Sequence, residues 1–265
     1  MKNNKMNDII LKHSKDIKRE LFKGYDRLPN TNGNWHVADT EELFKGNLKK
    51  YSDSIHINNY SNNPIKYSYN NFAFRTPDDF SLQGDGNVFL GCSHTFGIGH
   101  HLENTWSYKL HKKVGGKFYN ISEPGSGIST QYEYLNYFKN KIKFKNVFHY
   151  LPDECWLRFV GHILKSYNTE EELKNIVFMY INLISDLCKS LDVNYYLLTK
   201  SYLSVVDSKF NIDPYHISMT PARDLMHYYV EEHDNIVDIF YEKYSKKAIQ
   251  EPIPFKLIEK TLKII

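Results

Sequence analysis

Cysteine is scarce in this sequence. Only three occur among 265 residues, at positions 92, 155 and 188, and no Cys-x-x-Cys pair is present. That spacing argues against a disulfide framework and against a zinc knuckle. Long apolar runs are missing too. Nothing reaches the ~18 consecutive apolar residues of a membrane span, and the first 20 residues hold no apolar stretch of the secretory-signal kind. A cytoplasmic protein in a reducing compartment, with no membrane partner, is the expectation. Charge of one sign is equally absent, since 34 Lys and Arg against 31 Asp and Glu leave a net +3. Residues 2–23 are moderately basic and residues 139–145 form a short basic run. Both read as solvated faces, and no nucleic-acid partner is expected.

A hydrophobic fraction of 41% and a charged fraction of 25% are ordinary for a globular chain. The length suits one large domain, or one domain with an extension. The 21 Tyr and 16 Phe stand out. Tyrosine can present a sugar- or protein-binding surface, but it is also a common half-buried residue.

Residues 6–23 space their apolar positions as a short amphipathic helix would. Residues 24–84 are rich in Asn, Asp, Ser, Gly and Pro and show no sustained period. They read as loops with a few short strands, such as 67–74. We therefore divide the chain into an N-terminal extension, 1–84, packed on a main domain, 85–265. From residue 87 onward, strands at 88–90, 117–121, 147–151 and 195–199 alternate with helices near 105–114, 129–142 and 170–191. This alternation predicts parallel βαβ units in a three-layer α/β domain, with a site at the carboxyl ends of the strands.

Three segments carry candidate chemistry. The first strand runs into Gly91-Cys92-Ser93-His94-Thr95, which places a serine where α/β active sites form; an ordinary helix-capping serine would look similar. It is not the Gly-x-Ser-x-Gly elbow, because position 95 is Thr. The second strand is followed by Ser122-Glu123-Pro124-Gly125-Ser126-Gly127, whose glycines can offer bare N–H groups to an anion. An ordinary strand-to-helix turn has the same composition. Near the C-terminus, Asp224-Leu225-Met226-His227 puts an acid and a base three residues apart, on one side of a helical turn.

In order and strand context, residues 86–228 resemble the SGNH (GDSL-like) serine hydrolases. The resemblance implies a three-layer αβα fold with a parallel, flavodoxin-like sheet of about five strands and no cofactor. It implies Ser93 as nucleophile, with Asp224 and His227 as its partners. The N–H groups of Ser93 and Gly125 would form the oxyanion hole. The substrate would be an ester, by family analogy a carbohydrate O-acetyl ester, so the expected partner is a small molecule or carbohydrate.

Two positions depart from the family pattern. Cys92 replaces the usual Asp before the serine and is itself a thiol. In the third block, Leu151-Pro152-Asp153-Glu154 puts Asp153 near the place of an oxyanion-donating Asn. An ionised carboxylate accepts hydrogen bonds and cannot donate them, so another group, with Asn120 and Arg158 nearby in sequence, must donate or activity is weak. The alternative function is a catalytically impaired binding or structural module. His94, His100 and His101 cluster beside the serine turn without the partners a metal centre needs, so no metal is expected. His216 and His233 have no visible partner. Arg75 is expected on the surface. Gly97-Ile98-Gly99 lacks the third glycine of a dinucleotide fingerprint.

Overall fold

A computed structural model describes residues 29–151, 170–199, 214–215 and 218–246, with only the backbone of 170–176. The expected helix at 6–23 lies outside the described residues. The main sheet has strands β3 (Gly86–Leu90), β4 (Lys117–Asn120), β5 (Phe144–Leu151) and β6 (Asn194–Thr199). They are hydrogen-bonded in the order β4-β3-β5-β6, with every neighbouring pair parallel. The sheet thus has four strands among the described residues, not five. Numbered within the sheet the order is 2-1-3-4. The order reverses beside its first strand, where doubly wound sheets open a crevice.

Side chains alternate between two covered faces. Val88, Leu90, Tyr119, Val147 and Leu197 join one core with Tyr134, Leu135 and Phe138 of helix α5 (Ile128–Phe138) and Ile181 and Ile184 of α6 (Glu170–Ser190). Phe89, Phe118, Phe148 and Tyr196 face the other way. There they meet Trp106 and Leu110 of α4 (Trp106–Val114) and Ile236, Val237 and Phe240 of α7 (Val230–Ser245). The result is three layers. Phe118, Phe89, Phe148 and Tyr196 form a ladder across all four strands, with successive centroids 5.0, 5.5 and 5.0 Å apart. Such pairs contribute roughly 0.5–1.5 kcal/mol each beyond burial. Much of the aromatic excess is therefore spent inside the protein.

Helix boundaries follow local chemistry. Thr105 caps α4 by accepting from Tyr108 N, and Gly115 ends it. The stretch 29–84 departs from the expectation of loops and strands. It holds helices α1 (Glu41–Lys50), capped by Thr40, and α2 (Ile55–Asn62), capped by Ser54. Only Tyr67–Ser68 of the expected strand at 67–74 is extended, as β2, paired antiparallel with β1 (Asn32–Gly33). Phe44, Ile57, Tyr60, Ile65 and Tyr67 from this stretch form a third core with Phe96, Ile98, Leu225 and Tyr229. That core lies under the loops that carry the candidate chemistry. No described helix is long and apolar enough to cross a membrane. In the 139–145 basic run, Lys143 and Lys145 both pair with Asp85.

Candidate active site

The turn after β3 is sterically fixed. A Cβ on Gly91 would stand 2.1 Å from Thr95 Oγ1 of the following turn and 2.8 Å from the Tyr150 carbonyl oxygen of β5, so only glycine fits there. Cys92 then caps a single helical turn, α3 (Ser93–Phe96), its carbonyl accepting from Thr95 N and Phe96 N at 3.1 and 2.9 Å. Gly97, at φ +83°, closes the turn by donating to Ser93 O at 2.8 Å. The Ser93 hydroxyl does not cap the helix. It lies 3.9 Å from Cys92 Sγ and makes no hydrogen bond to His227 among the described residues. Cys92 itself is buried in the core beside Leu90, which leaves its thiol poorly placed to react.

Arg75 is 1% exposed, not on the surface. Its guanidinium donates to the carbonyls of Gly97 (2.5 Å), His100 (2.7 Å) and Phe96 (3.2 Å) and covers the Tyr67 ring at 4.4 Å. The cation thus sits at the carboxyl end of α3, where the helix dipole favours it. Burial alone lowers its pKa, an effect partly offset by neighbouring Tyr67, Tyr69 and Asp39.

The loop after β4 docks on the same turn. Glu123 N and Ser126 Oγ both donate to Gly91 O, at 3.3 and 3.2 Å. Asn120 Nδ2 donates to Thr95 O at 3.2 Å, and its carbonyl oxygen accepts from the Ser122 hydroxyl. Asn120 therefore ties β4 to α3. Gly125 is at φ +78° and half-buried. Neither its N–H nor that of Ser93 donates to any group among the described residues. Behind this loop, Gln131 Oε1 accepts from His149 Nε2 at 2.7 Å, and Tyr195 Oη donates to His149 Nδ1 at 2.8 Å. The Gln131 amide approaches Ser126 at 3.4 Å.

The acid and base sit in a turn, not on a helix, since α7 begins only at Val230. Leu225 adopts φ +56°, which brings the two side chains round to meet. Asp224 Oδ2 accepts from His227 Nδ1 at 2.5 Å, and Oδ1 accepts from Met226 N at 3.1 Å. The bond fixes the tautomer, with the proton on Nδ1 and a lone pair on Nε2. Burial by itself raises the Asp224 pKa. The charge and hydrogen bond of His227, with the Met226 N–H, outweigh it and hold the carboxyl below its ordinary value. The turn rests on the segment following α3: Arg223 N donates to Gly99 O at 2.9 Å, and a Cβ on Gly99 would come within 2.9 Å of Asp224 Oδ1.

Histidines line the junction. The His94 ring lies 5.1 Å from that of His227 and stacks on Tyr228 at 3.8 Å. His100 Nε2 donates to Tyr228 O at 2.7 Å, and Trp106 N donates to His233 Nδ1 at 3.2 Å. His233 thus has a partner that its sequence position does not reveal. Burial lowers the pKa of His100 to about 3 and that of His233 well below its ordinary value, so both are neutral near pH 7. No group of three His, Cys, Asp or Glu suited to a metal is found among the described residues.

The structure therefore brings the turn of Ser93 together with Asp224 and His227, and seats the Gly125 loop on that turn. Asp153, Arg158 and His216 lie outside the described residues. Sequence reasoning missed Asp39, Tyr67 and the burial of Arg75, none of which carries a local motif. The sequence matches no protein-family model and no curated protein.

Proposed function

We propose that the protein is a serine ester hydrolase of the SGNH type, with Ser93 as nucleophile, His227 as general base and Asp224 as its orienting acid. The observation that carries this is the 2.5 Å Asp224–His227 bond, in a turn docked on the serine turn at the carboxyl end of a parallel sheet. Asp224 holds the Nδ1–H tautomer, so Nε2 takes the Ser93 proton as the hydroxyl attacks the ester carbonyl. Ser93 Oγ turns from Cys92 toward the imidazole for this step; catalytic bonds are often long before substrate binds. The N–H groups of Ser93 and Gly125, which no described group occupies, receive the oxyanion. His227 then protonates the leaving alcohol, and water repeats the sequence on the acyl-enzyme.

Ser93 is 7% exposed and the His227 side chain 12%. Such limited access favours a small acyl group such as acetyl, consistent with a carbohydrate O-acetyl ester. The family resemblance puts Asp153 near the place of a hole donor; unless another group supplies that bond, turnover is slower by about 10²–10³ than with a complete hole. The 3.9 Å Ser93–Cys92 contact, in place of a Ser93–His227 bond, favours a second reading: a binding module that keeps the fold and has lost efficient chemistry.

Labelling by a small fluorophosphonate separates the two. Modification of Ser93 in the wild type, abolished in Ser93→Ala and His227→Ala, is the expected result. A folded wild type that stays unlabelled, and leaves p-nitrophenyl acetate intact, rules out the hydrolase and selects the binding module.

A further inference from the structure

We propose that the buried Asp39–Arg223 ion pair, anchored by Tyr67, is the positioning device for the Asp224–His227 dyad, so that residues 34–67 belong to the acid–base machinery. The inference rests on the assignment of that dyad as acid and base.

The residue just before Asp224 is held at its backbone N–H and carbonyl and at two of its three guanidinium nitrogens, Nη1 being buried without a hydrogen-bond partner among the described residues. Arg223 N donates to Gly99 O, and Arg223 O accepts from Asn47 Nδ2 at 3.1 Å. Its Nε donates to both Asp39 oxygens at 3.0 and 3.1 Å, and Nη2 donates to Asp39 Oδ2 and Asn34 O, each at 2.7 Å. The Trp35 ring covers the guanidinium at 4.2 Å. Two residues earlier, Pro221 O accepts from Tyr60 Oη at 2.8 Å. Tyr67 closes the circuit by donating to Asp39 Oδ2 at 2.5 Å and accepting from Gly99 N at 2.9 Å. Gly99 is the residue against which Asp224 Oδ1 rests.

A buried ion pair costs much of its attraction in desolvation, so it is poor evidence of a gain in stability. Arginine's planar fork does fix orientation, because several donors must be met at once. Here that orientation passes through one peptide bond to Asp224. The pair also sets local charge. Facing His227 are Asp224 on its own turn and His94 on α3. His100 follows Gly99 in the chain, His233 lies on α7, and Tyr228 adjoins His227. Behind them stand Arg223, Asp39, Arg75 and Tyr60. His100 and His233 are neutral near pH 7. The carboxylates of Glu231 and Glu232 on α7, which accept from Thr220 N and Tyr229 N at 2.8 and 2.9 Å, also face this turn. They are the same in every variant below, so Asp39 and Arg223 are the charges that the test changes.

The test is an NMR titration of the His227 imidazole together with the pH dependence of fluorophosphonate labelling, in the full chain. Asp39→Asn leaves the arginine cations unbalanced, so the His227 midpoint and the acid limb of labelling both move to lower pH. Arg223→Gln leaves Asp39 unbalanced and moves both to higher pH. Each shift is on the order of one pH unit, the effect of a unit charge about 10 Å away at an effective dielectric constant near 20. The double variant returns the midpoint toward wild type. Arg223→Lys keeps the charge but not the fork, so the midpoint holds while labelling slows by about 10-fold or more. Tyr67→Phe retains the packed ring and loses the Gly99 anchor, and it too slows labelling.

Midpoints that stay put, or move in the same direction in Asp39→Asn and Arg223→Gln, overturn the proposal. If the charge variants fail to fold, wild-type labelling rates in Tyr67→Phe and Arg223→Lys overturn it. An unlabelled wild type whose His227 still responds as described ends the hydrolase assignment and leaves the positioning role standing.

Discussion

His149 gives the sharpest test of how the interior behind the candidate site is built. The imidazole is fully buried in β5 between Gln131 and Tyr195. Burial pushes its pKa from 6.5 down to about 3. In the unfolded chain the ring titrates near its ordinary value, so between those values the unfolded state binds more protons. A folded-state pKa that is depressed in this way contributes stability that is full above about 6.5 and is lost progressively as pH falls toward 3. From pH 7 to pH 5 the loss is about 2 kcal/mol, taking about 1.4 kcal/mol per pH unit over the 1.5 units below 6.5. His100, lowered to about 3, adds a similar loss, and His233 acts in the same direction. Replacement of His149 by Phe removes one share. It also leaves Gln131 Oε1 and Tyr195 Oη without their partner, so the variant starts less stable at pH 7 by roughly 1–3 kcal/mol per stranded group. Urea unfolding at pH 7 and pH 5 reads both effects. The gap between wild type and His149→Phe should narrow by about 2 kcal/mol on acidification, with m unchanged. A gap that stays constant would mean that His149 titrates alike in both states, refuting a buried neutral imidazole.

Two further substitutions probe the serine turn. Gly91→Ala places a methyl group against Thr95 Oγ1 and the Tyr150 carbonyl; the backbone cannot retreat, so a loss of about 1–3 kcal/mol in denaturant unfolding is expected, together with loss of Ser93 labelling. Arg75→Lys replaces a fork that meets three carbonyls around α3 with a single ammonium. At least one buried carbonyl is left unpaired, so a loss of roughly 1–3 kcal/mol follows, and a neutral result would show that the fork is dispensable.

The sheet was legible because its physics is local. Runs such as Val88-Phe89-Leu90 are buried on both faces, and parallel strands covered by helices need no polar face. Thr105 and Gly115 marked α4 by capping chemistry that any sequence window contains. Helix α5 ends at Phe138, short of the expected residue 142, where Lys141 N turns back to Phe138 O at 2.8 Å. The stretch 29–84 was not legible. Its helices bury only Phe44, Ile57 and Tyr60, too few apolar positions to set a period, and they are held by tertiary contacts. The acid–base spacing was visible, but the helical turn assumed for it was not found, because Leu225 in the left-handed region makes a tighter bend. The partner of Arg223 lies 184 residues away, and no pattern in one sequence links the two.

The boundary drawn at residue 84 leads to a firm expectation for a fragment of residues 85–265. Such a fragment loses Asp39, Tyr67 and Arg75 together, and with them every anchor that the extension gives the serine and acid–base turns. It also uncovers Phe96, Ile98, Leu225 and Tyr229, which are buried by the third core; apolar side chains lose about 1.5–3 kcal/mol each on full exposure. A sheet edge is opened as well. Strand β4 lies at the rim, and there Asp78 Oδ2 accepts from Phe118 N at 2.7 Å while Thr76 Oγ1 donates to Phe118 O at 2.5 Å. Removing that cover exposes unpaired strand groups of the kind that promote association. Four apolar side chains alone amount to about 6 kcal/mol or more, which is most of the 5–15 kcal/mol by which a typical domain is stable. The fragment is therefore expected to aggregate or to lose cooperative unfolding, as read by circular dichroism and light scattering. A monomeric fragment that unfolds with the midpoint of the full chain would show that residues 29–84 are an ornament on a self-sufficient domain, and would remove the basis for assigning Asp39 and Tyr67 any part in holding the site.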